Sequence, residues 1–149
     1  MKISIITGKE LKHPEVKILC KEKNNEVIRI EQILSATEQC VMGNYDGKSI
    51  KIRFADILYF EMVDRSVFAY TKDIVAKVPG TLSSYSEEKF YGYIRISKSV
   101  ILNVIHVKNL ERLLNGGMDI TMENEEHIIV ARRYVSDFIL FLKNGGNDQ

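Results

Sequence analysis

Val41-Met42-Gly43-Asn44-Tyr45-Asp46-Gly47-Lys48-Ser49-Ile50-Lys51-Ile52-Arg53 is the stretch that decides the fold. At its centre, Asp46-Gly47 is a strong hairpin signal, because both residues tolerate the backbone angles of a two-residue turn. The runs on either side are strand candidates, so the chain doubles back here as antiparallel β. The pattern continues downstream. Residues 57–62, a turn at Val63-Asp64-Arg65, residues 67–71 and residues 74–78 read as further short strands. Residues 93–96 follow, then 107–114 and 118–122 around the turn Asn115-Gly116-Gly117, and finally 127–130. Strands spaced by about 8–12 residues with tight turns between them argue against a parallel α/β sheet. The expected class is mainly β with minor α.

Three helices punctuate this series. Residues 81–88 read as a short capped helix with Leu82 and Tyr85 facing inward. Residues 132–143 carry Val135, Phe138, Ile139 and Leu142 on one face, the stripe of an amphipathic C-terminal helix. Upstream, Val27, Ile30, Ile33, Leu34 and Thr37 recur at helical spacing over residues 25–39, and Asn24 or Asn25 can cap the start. Residues 2–6 and 15–21 alternate in the manner of short strands. These readings divide the chain into a strand–strand–helix extension over 1–40, a β-rich domain over 41–145 and a disordered tail over 146–149.

Composition sets the outer limits. The chain has 149 residues, 45% of them hydrophobic and 28% charged, as a globular protein requires and a disordered one does not. A net charge of +1 excludes a histone-like polycation, while a local basic patch remains compatible with it. Cys20 lies in Val16-Lys17-Ile18-Leu19-Cys20 and reads as a core thiol; Cys40 is isolated, and no Cys-x-x-Cys spacing occurs. A reducing cytosol fits this usage. The apolar run at the start is too short for a signal peptide, and no stretch approaches the ~20 apolar residues of a spanning helix. A cytoplasmic location is therefore expected.

Chemistry is hard to find. His13, His106 and His127 are scattered, without a second ligand at metal spacing. No nucleophile elbow, phosphate loop or dinucleotide fingerprint is present. Glu87-Glu88 and the trio Glu123, Glu125 and Glu126 fall in a helix end and a turn, where solvated charge is the ordinary outcome. No enzyme activity, metal or cofactor is expected.

Cations are more informative. In Tyr93-Ile94-Arg95-Ile96-Ser97-Lys98-Ser99, alternation sets Tyr93, Arg95 and Ser97 on one face and Ile94 and Ile96 on the other. A strand edge offering Arg, Lys and hydroxyls can bind phosphates or base edges; the plain alternative is a solvated strand end. Ala131-Arg132-Arg133-Tyr134 puts two cations at a helix start, where each opposes the macrodipole by about 0.3–1 kcal/mol. A bound phosphate would reverse that sign. Lys51, Arg53, Arg65, Lys108 and Arg112 add charge elsewhere in the β region.

Taken together and in order, these segments resemble the LytTR-type DNA-binding domain. Asp56-Ile57-Leu58-Tyr59-Phe60-Glu61 is similar to that family's opening Asp-Ile-x-Tyr-Ile/Phe-Glu strand. Thr81-Leu82, Phe90 and the run 93–99 resemble its Ser-Leu … Phe-x-Arg-x-His-x-Ser core, and Ile101-Leu102-Asn103 stands where it has Ile-Val-Asn. Ile128-Ile129-Val130-Ala131-Arg132-Arg133-Tyr134 resembles Ile-x-Val-Ser-Arg-x-Tyr before the closing helix. The match runs from about Lys48 to Leu142. It implies an elongated set of small antiparallel sheets whose loops enter successive major grooves of double-stranded DNA. It implies DNA-facing roles for Asp64, Arg65 and Ser66, for Ser97, Lys98 and Ser99, and for Arg132 and Arg133. Lys98 and Arg133 would reach base edges, while Arg95, Ser99 and Arg132 would position phosphates or the fold. Ser97 replaces a frequent His and Ala131 the usual Ser, so base preference does not transfer. Asn103 is expected to hold a turn.

The resemblance further implies a transcription regulator, a homodimer on paired half-sites. About 45 residues precede the match, too few for a receiver domain of ~100–150 residues. A stand-alone regulator is expected, with a small membrane protein as its controlling partner. The alternative is a protein-interaction module of the same fold that binds a partner rather than DNA. RNA binding would call for an aromatic stacking platform that Tyr93 and Tyr134 alone do not make.

Overall fold

A computed structural model describes residues 1–11, 14–86 and 90–146. Glu87 and Glu88, His13 and residues 147–149 of the expected tail lie outside the described residues, as does the Thr37 side chain.

The deciding stretch forms strands β1 (Cys40–Tyr45) and β2 (Lys48–Arg53), in register from Cys40 opposite Arg53 to Tyr45 opposite Lys48. Asp46 and Gly47 close the hairpin with φ of 51° and 75°, the left-handed angles that the dipeptide was expected to supply. Strands β3 (Ile57–Val63) and β4 (Ser66–Thr71) are joined the same way, here by Asp64 and Arg65 at φ 47° and 65° without a glycine. With β5 (Val75–Val78), β6 (Tyr93–Arg95) and β7 (Val100–Asn103) these make a seven-stranded antiparallel sheet in the order β2-β1-β5-β4-β3-β7-β6. Strands β8 (Val107–Arg112), β9 (Met118–Met122) and β10 (His127–Val130) form a second antiparallel sheet. Two α-helices, α1 (Asn25–Glu38) and α2 (Val135–Gly146), complete the chain. The mainly-β antiparallel class is as expected.

Two cores lie on opposite faces of the large sheet. On one face Phe54, Phe60, Tyr85 and Tyr93 pack as an aromatic cluster, with Phe60 stacked on Tyr85 at 4.1 Å and Phe54 on Phe90 at 4.2 Å. The short 3-10 turn Leu82–Tyr85 caps this face, and its first turn is closed by reciprocal bonds between Thr81 and Ser84. On the other face Leu58, Ile94, Ile96 and Leu102 meet Met118, Ile120, Met122 and Val130 of the small sheet and Val135 and Phe138 of α2. Fully burying each such side chain stabilises by roughly 1.5–3 kcal/mol. Strands β3, β6 and β7 are thus covered on both sides. Tyr93, grouped by alternation with Arg95 and Ser97, is 2% exposed for that reason. Burial pushes its hydroxyl well above the usual tyrosine range.

The extension departs further from expectation. Helix α1 forms over nearly the anticipated span, and Asn24 Oδ1 accepts from Val27 N at 3.0 Å as its cap. It is tied down at two places: just past its C-terminal end Phe54 N donates to Gln39 O at 2.9 Å, and in its first half Arg29 Nη2 donates to Asn144 O of α2 at 2.6 Å. The expected strands over 2–6 and 15–21 are absent: no strand occurs among the described residues before Cys40. Cys20 is exposed, contrary to its reading as a core thiol. Both corrections have one cause, since nothing in the domain packs over this arm to bury it or pair with it. At the other end, α2 runs on through Gly146, so Asn144 does not stop the helix.

Candidate functional site

Three of the singled-out segments meet at one edge. The β3–β4 turn carries Asp64 and Arg65 beyond the end of β3, and two residues back Met62 N donates to Ser99 O at 2.8 Å. This bond ties the turn to the loop between β6 and β7. On the far side of that loop, Ala131 N donates to Ile96 O at 2.9 Å, bringing in the junction between β10 and α2. Residues separated by some seventy positions in sequence are therefore held within two backbone hydrogen bonds of one another.

Local bonding fixes what each segment presents. In the loop, Ser97 Oγ accepts from Ser99 N at 3.2 Å, and Arg95 Nη2 donates to Lys98 O at 3.2 Å. Lys98 stands at the apex with its main chain held from both sides and its side chain exposed. Arg95 is only partly exposed, and its Nε is buried without a partner among the described residues, which suits a residue that shapes the loop. Ser97 and Ser99 are likewise half-buried. At the junction, Arg132 and Arg133 are exposed in the 3-10 turn Arg132–Tyr134 that leads into α2. The Arg133 guanidinium lies 5.4 Å from the Tyr134 ring centroid, a cation–π contact that orients its fork. Ala131, at the cap position, makes no side-chain bond to the turn's N–H groups, so the helix start keeps free donors beside two guanidiniums.

Charge separates across the molecule although the net value is +1. Arg65, Lys98, Arg132 and Arg133 form no ion pair among the described residues. At the opposite end of the sheet Arg53, His106 and Lys108 each have an acidic partner, while Lys51 and Lys72 nearby have none among the described residues. Arg53 Nε bonds Asp56 Oδ2 at 2.9 Å, His106 Nδ1 lies 2.9 Å from Glu123 Oε2, and Lys108 pairs with Glu125. Asp56 raises the Arg53 pKa first through that hydrogen bond and then through its charge. Glu126 accepts from Tyr59 Oη at 3.0 Å; burial first, and this bond second, hold that hydroxyl protonated far above the usual range. Tyr70, stacked on Tyr59 at 4.3 Å, is pushed up to about 12 by burial and by Glu61. The acidic trio Glu123, Glu125 and Glu126 thus serves ion pairs and a tyrosine bond.

One element of the edge was not singled out from sequence. The β8–β9 turn over 113–117 packs against the junction: a Cβ on Gly116, whose φ is 87°, would come within 3.1 Å of the Arg132 side chain, and one on Gly117 within 3.1 Å of Val130 O. Arg112, Leu114 and Asn115 are exposed there. The turn and the Arg112 charge are legible in sequence but their place at this edge is not, because the proximity arises from how the small sheet docks. Asn103 behaves as expected: 4% exposed, it donates to Ile57 O at 3.0 Å and accepts from Ile105 N at 3.3 Å. Among the described residues no three His, Cys, Asp or Glu side chains gather as a metal site. Among the described residues no helix is long and apolar enough to cross a membrane.

Comparison with known proteins agrees with this architecture. The family model described as LytTr DNA-binding domain matches residues 47–143. Among solved structures, the chain is similar to the LytTr DNA-binding domain of a Bacillus cereus protein described as a methyl-accepting/DNA response regulator. The two share 22% identity at a TM-score of 0.66, over 70% of this chain and 97% of that one. No curated protein matches.

Proposed function

The chain belongs to the LytTr DNA-binding domain family, and from that premise we propose that it is a sequence-specific regulator of transcription that grips double-stranded DNA with the edge described above. The observation that carries the reading is the convergence of Arg65, Lys98, Arg132 and Arg133, free of ion pairs among the described residues, at one end of a sheet whose other end pairs Arg53 and Lys108 with carboxylates. Unpaired cations release counterions from phosphates without first breaking internal bonds. Lys98 and Arg133 reach base edges, since a lysine or an oriented arginine fork can donate to guanine O6 and N7. Arg132 and the backbone N–H groups of Arg132 and Arg133 take phosphates. Asp64, Arg65 and Ser66 enter the neighbouring groove, while Arg95, Ser97 and Ser99 hold the Lys98 loop in shape.

In this reading the protein works in the cytoplasm as a homodimer on paired half-sites. Residues 41–145 form the DNA-binding domain and residues 1–40 the surface through which copies or a controlling membrane protein act. The test is a mobility-shift titration on the DNA upstream of the protein's own coding sequence, against random duplex of equal length. Wild type is expected to prefer the former and to weaken steeply as salt rises. Lys98→Ala and Arg133→Ala are each expected to weaken specific binding by about 5- to 150-fold, the loss of one base contact. Equal affinity for both DNAs, or variants that bind as wild type does, would sink the assignment.

A further inference from the structure

Residues 14–21 are built to form an edge strand, yet they form none within one copy. The segment reads Pro14-Glu15-Val16-Lys17-Ile18-Leu19-Cys20-Lys21. Val16, Ile18 and Cys20 line a shallow hollow together with Val27 and Leu34 of α1, so alternate side chains face the helix across it and remain exposed. Glu15, Lys17, Leu19 and Lys21 make up the other set, and Leu19 is 96% exposed. No residue from 14 to 21 makes a backbone–backbone hydrogen bond among the described residues. An alternating segment that faces a helix on one side and leaves its ladder groups unpaired is a template for strand addition.

Its own sequence names the partner. We propose that residues 15–21 pair antiparallel with the same residues of a second copy, about a two-fold axis through Ile18. In that register Ile18 faces Ile18, Val16 faces Cys20, and Glu15 faces Lys21 on both sides of the axis. Every opposed pair is either apolar or oppositely charged, save Lys17 against Leu19, where the lysine stem covers the leucine. The two Leu19 side chains are diagonal neighbours across the axis, within packing reach. Neither Glu15 nor Lys21 holds a strong partner in the single chain: Glu15 meets Lys17 only at 3.8 Å, both well exposed. An isologous interface must be complementary to itself, and this segment is. The dimer does not depend on the DNA-binding reading; its consequence, two basic edges held for paired half-sites, does.

The experiment measures mass in solution for the full-length chain from about 1 to 100 µM, the range in which a small interface of this kind is half-associated. Wild type is expected to dimerise. Lys21→Glu sets like charges opposite each other twice and is expected to raise the dissociation constant by about tenfold or more. The reciprocal exchange, Glu15→Lys with Lys21→Glu, restores the pairs and is expected to return it to within about threefold of wild type. Unchanged circular dichroism shows that the domain still folds. With both native cysteines changed to Ser, Ile18→Cys is expected to cross-link to itself under mild oxidation. A chain that stays monomeric at the top of this range overturns the proposal, even if the arm then captures another protein. So does a dimer insensitive to Lys21→Glu, or one that the double exchange fails to restore. Binding of a single half-site is scored in parallel: a monomer that still binds it loses only this proposal, and a dimer that ignores it loses only the DNA reading.

Discussion

Residues 15–21 and residues 48–53 alternate in nearly the same way, and their fates differ completely. Lys48-Ser49-Ile50-Lys51-Ile52-Arg53 becomes β2, with Ile52 only 5% exposed. Glu15-Val16-Lys17-Ile18-Leu19-Cys20-Lys21 joins no strand. Intrinsic preference cannot separate them. What separates them is what stands across the turn: Asp46-Gly47 returns the chain onto β1 within two residues, whereas the turn that Leu11 N closes on Gly8 O at 3.4 Å has no strand on either side of it among the described residues. Alternation therefore declares a side chain's willingness to enter a strand, and the partner decides whether it does. Within one copy the domain is saturated with partners, while the arm has none.

That contrast breaks or holds first on stability. Phe138 is fully buried between the small sheet and the large one. Phe138→Ala is expected to cost about 3–5 kcal/mol in urea unfolding, from lost transfer energy plus an unfilled cavity. Leu19→Ala, at dilution where copies are apart, is expected to change the unfolding midpoint by no more than about 0.5 kcal/mol. A large effect at Leu19 in dilute protein would mean that the arm packs on its own domain after all.

A middle-sized effect tests how the domain's partners are secured where no ladder bond is available. Asn103 is buried and serves Ile57 O and Ile105 N at once. Asn103→Ala is expected to cost about 1–3 kcal/mol, because the carbonyl of Ile57 loses this donor in a dry environment. Hydrogen exchange should report the loss as faster opening of the 104–106 turn, with α1 unaffected. If α1 loosens equally, domain and extension share more coupling than their few contacts suggest.

Legibility in sequence follows the same division. The hairpin at Asp46-Gly47, the span of α1 with its Asn24 cap and the apolar stripe of α2 were readable because each is decided locally. The family motifs added the order of the β segments and the three stretches proposed to face DNA. Tyr93 was misread because strands β3, β6 and β7 are buried on both faces, and alternation cannot distinguish two covered faces from one. The arm's strands and the burial of Cys20 were misread because the pattern was right and the partner was missing. The nearness of the 113–117 turn to Arg132 was invisible, since it depends on docking between two sheets. At the site, side-chain identity was legible; the bonds from Met62 to Ser99 and from Ala131 to Ile96 that bring the segments together were not.

The smallest effect isolates the turn itself, which the comparison holds responsible for the different fates. Gly47 sits at φ 75° with open space where a Cβ would lie, so Gly47→Ala adds backbone strain and no clash. The penalty for an L side chain in this region is about 1–2 kcal/mol, offset in part by the lower entropy of the unfolded chain. A net loss of about 1 kcal/mol is expected in urea unfolding, with the β1–β2 pair opening faster in hydrogen exchange than β3–β4. Gly8, in the arm, meets only the Leu11 side chain at 3.9 Å, and Gly8→Ala is expected to leave stability unchanged. If both substitutions were silent, the hairpin would owe its form to packing of Val41 and Ile52 rather than to its turn. The arm would then lack a core instead of a strand-pairing turn, and a second copy supplying apolar cover would rescue it better than any engineered turn.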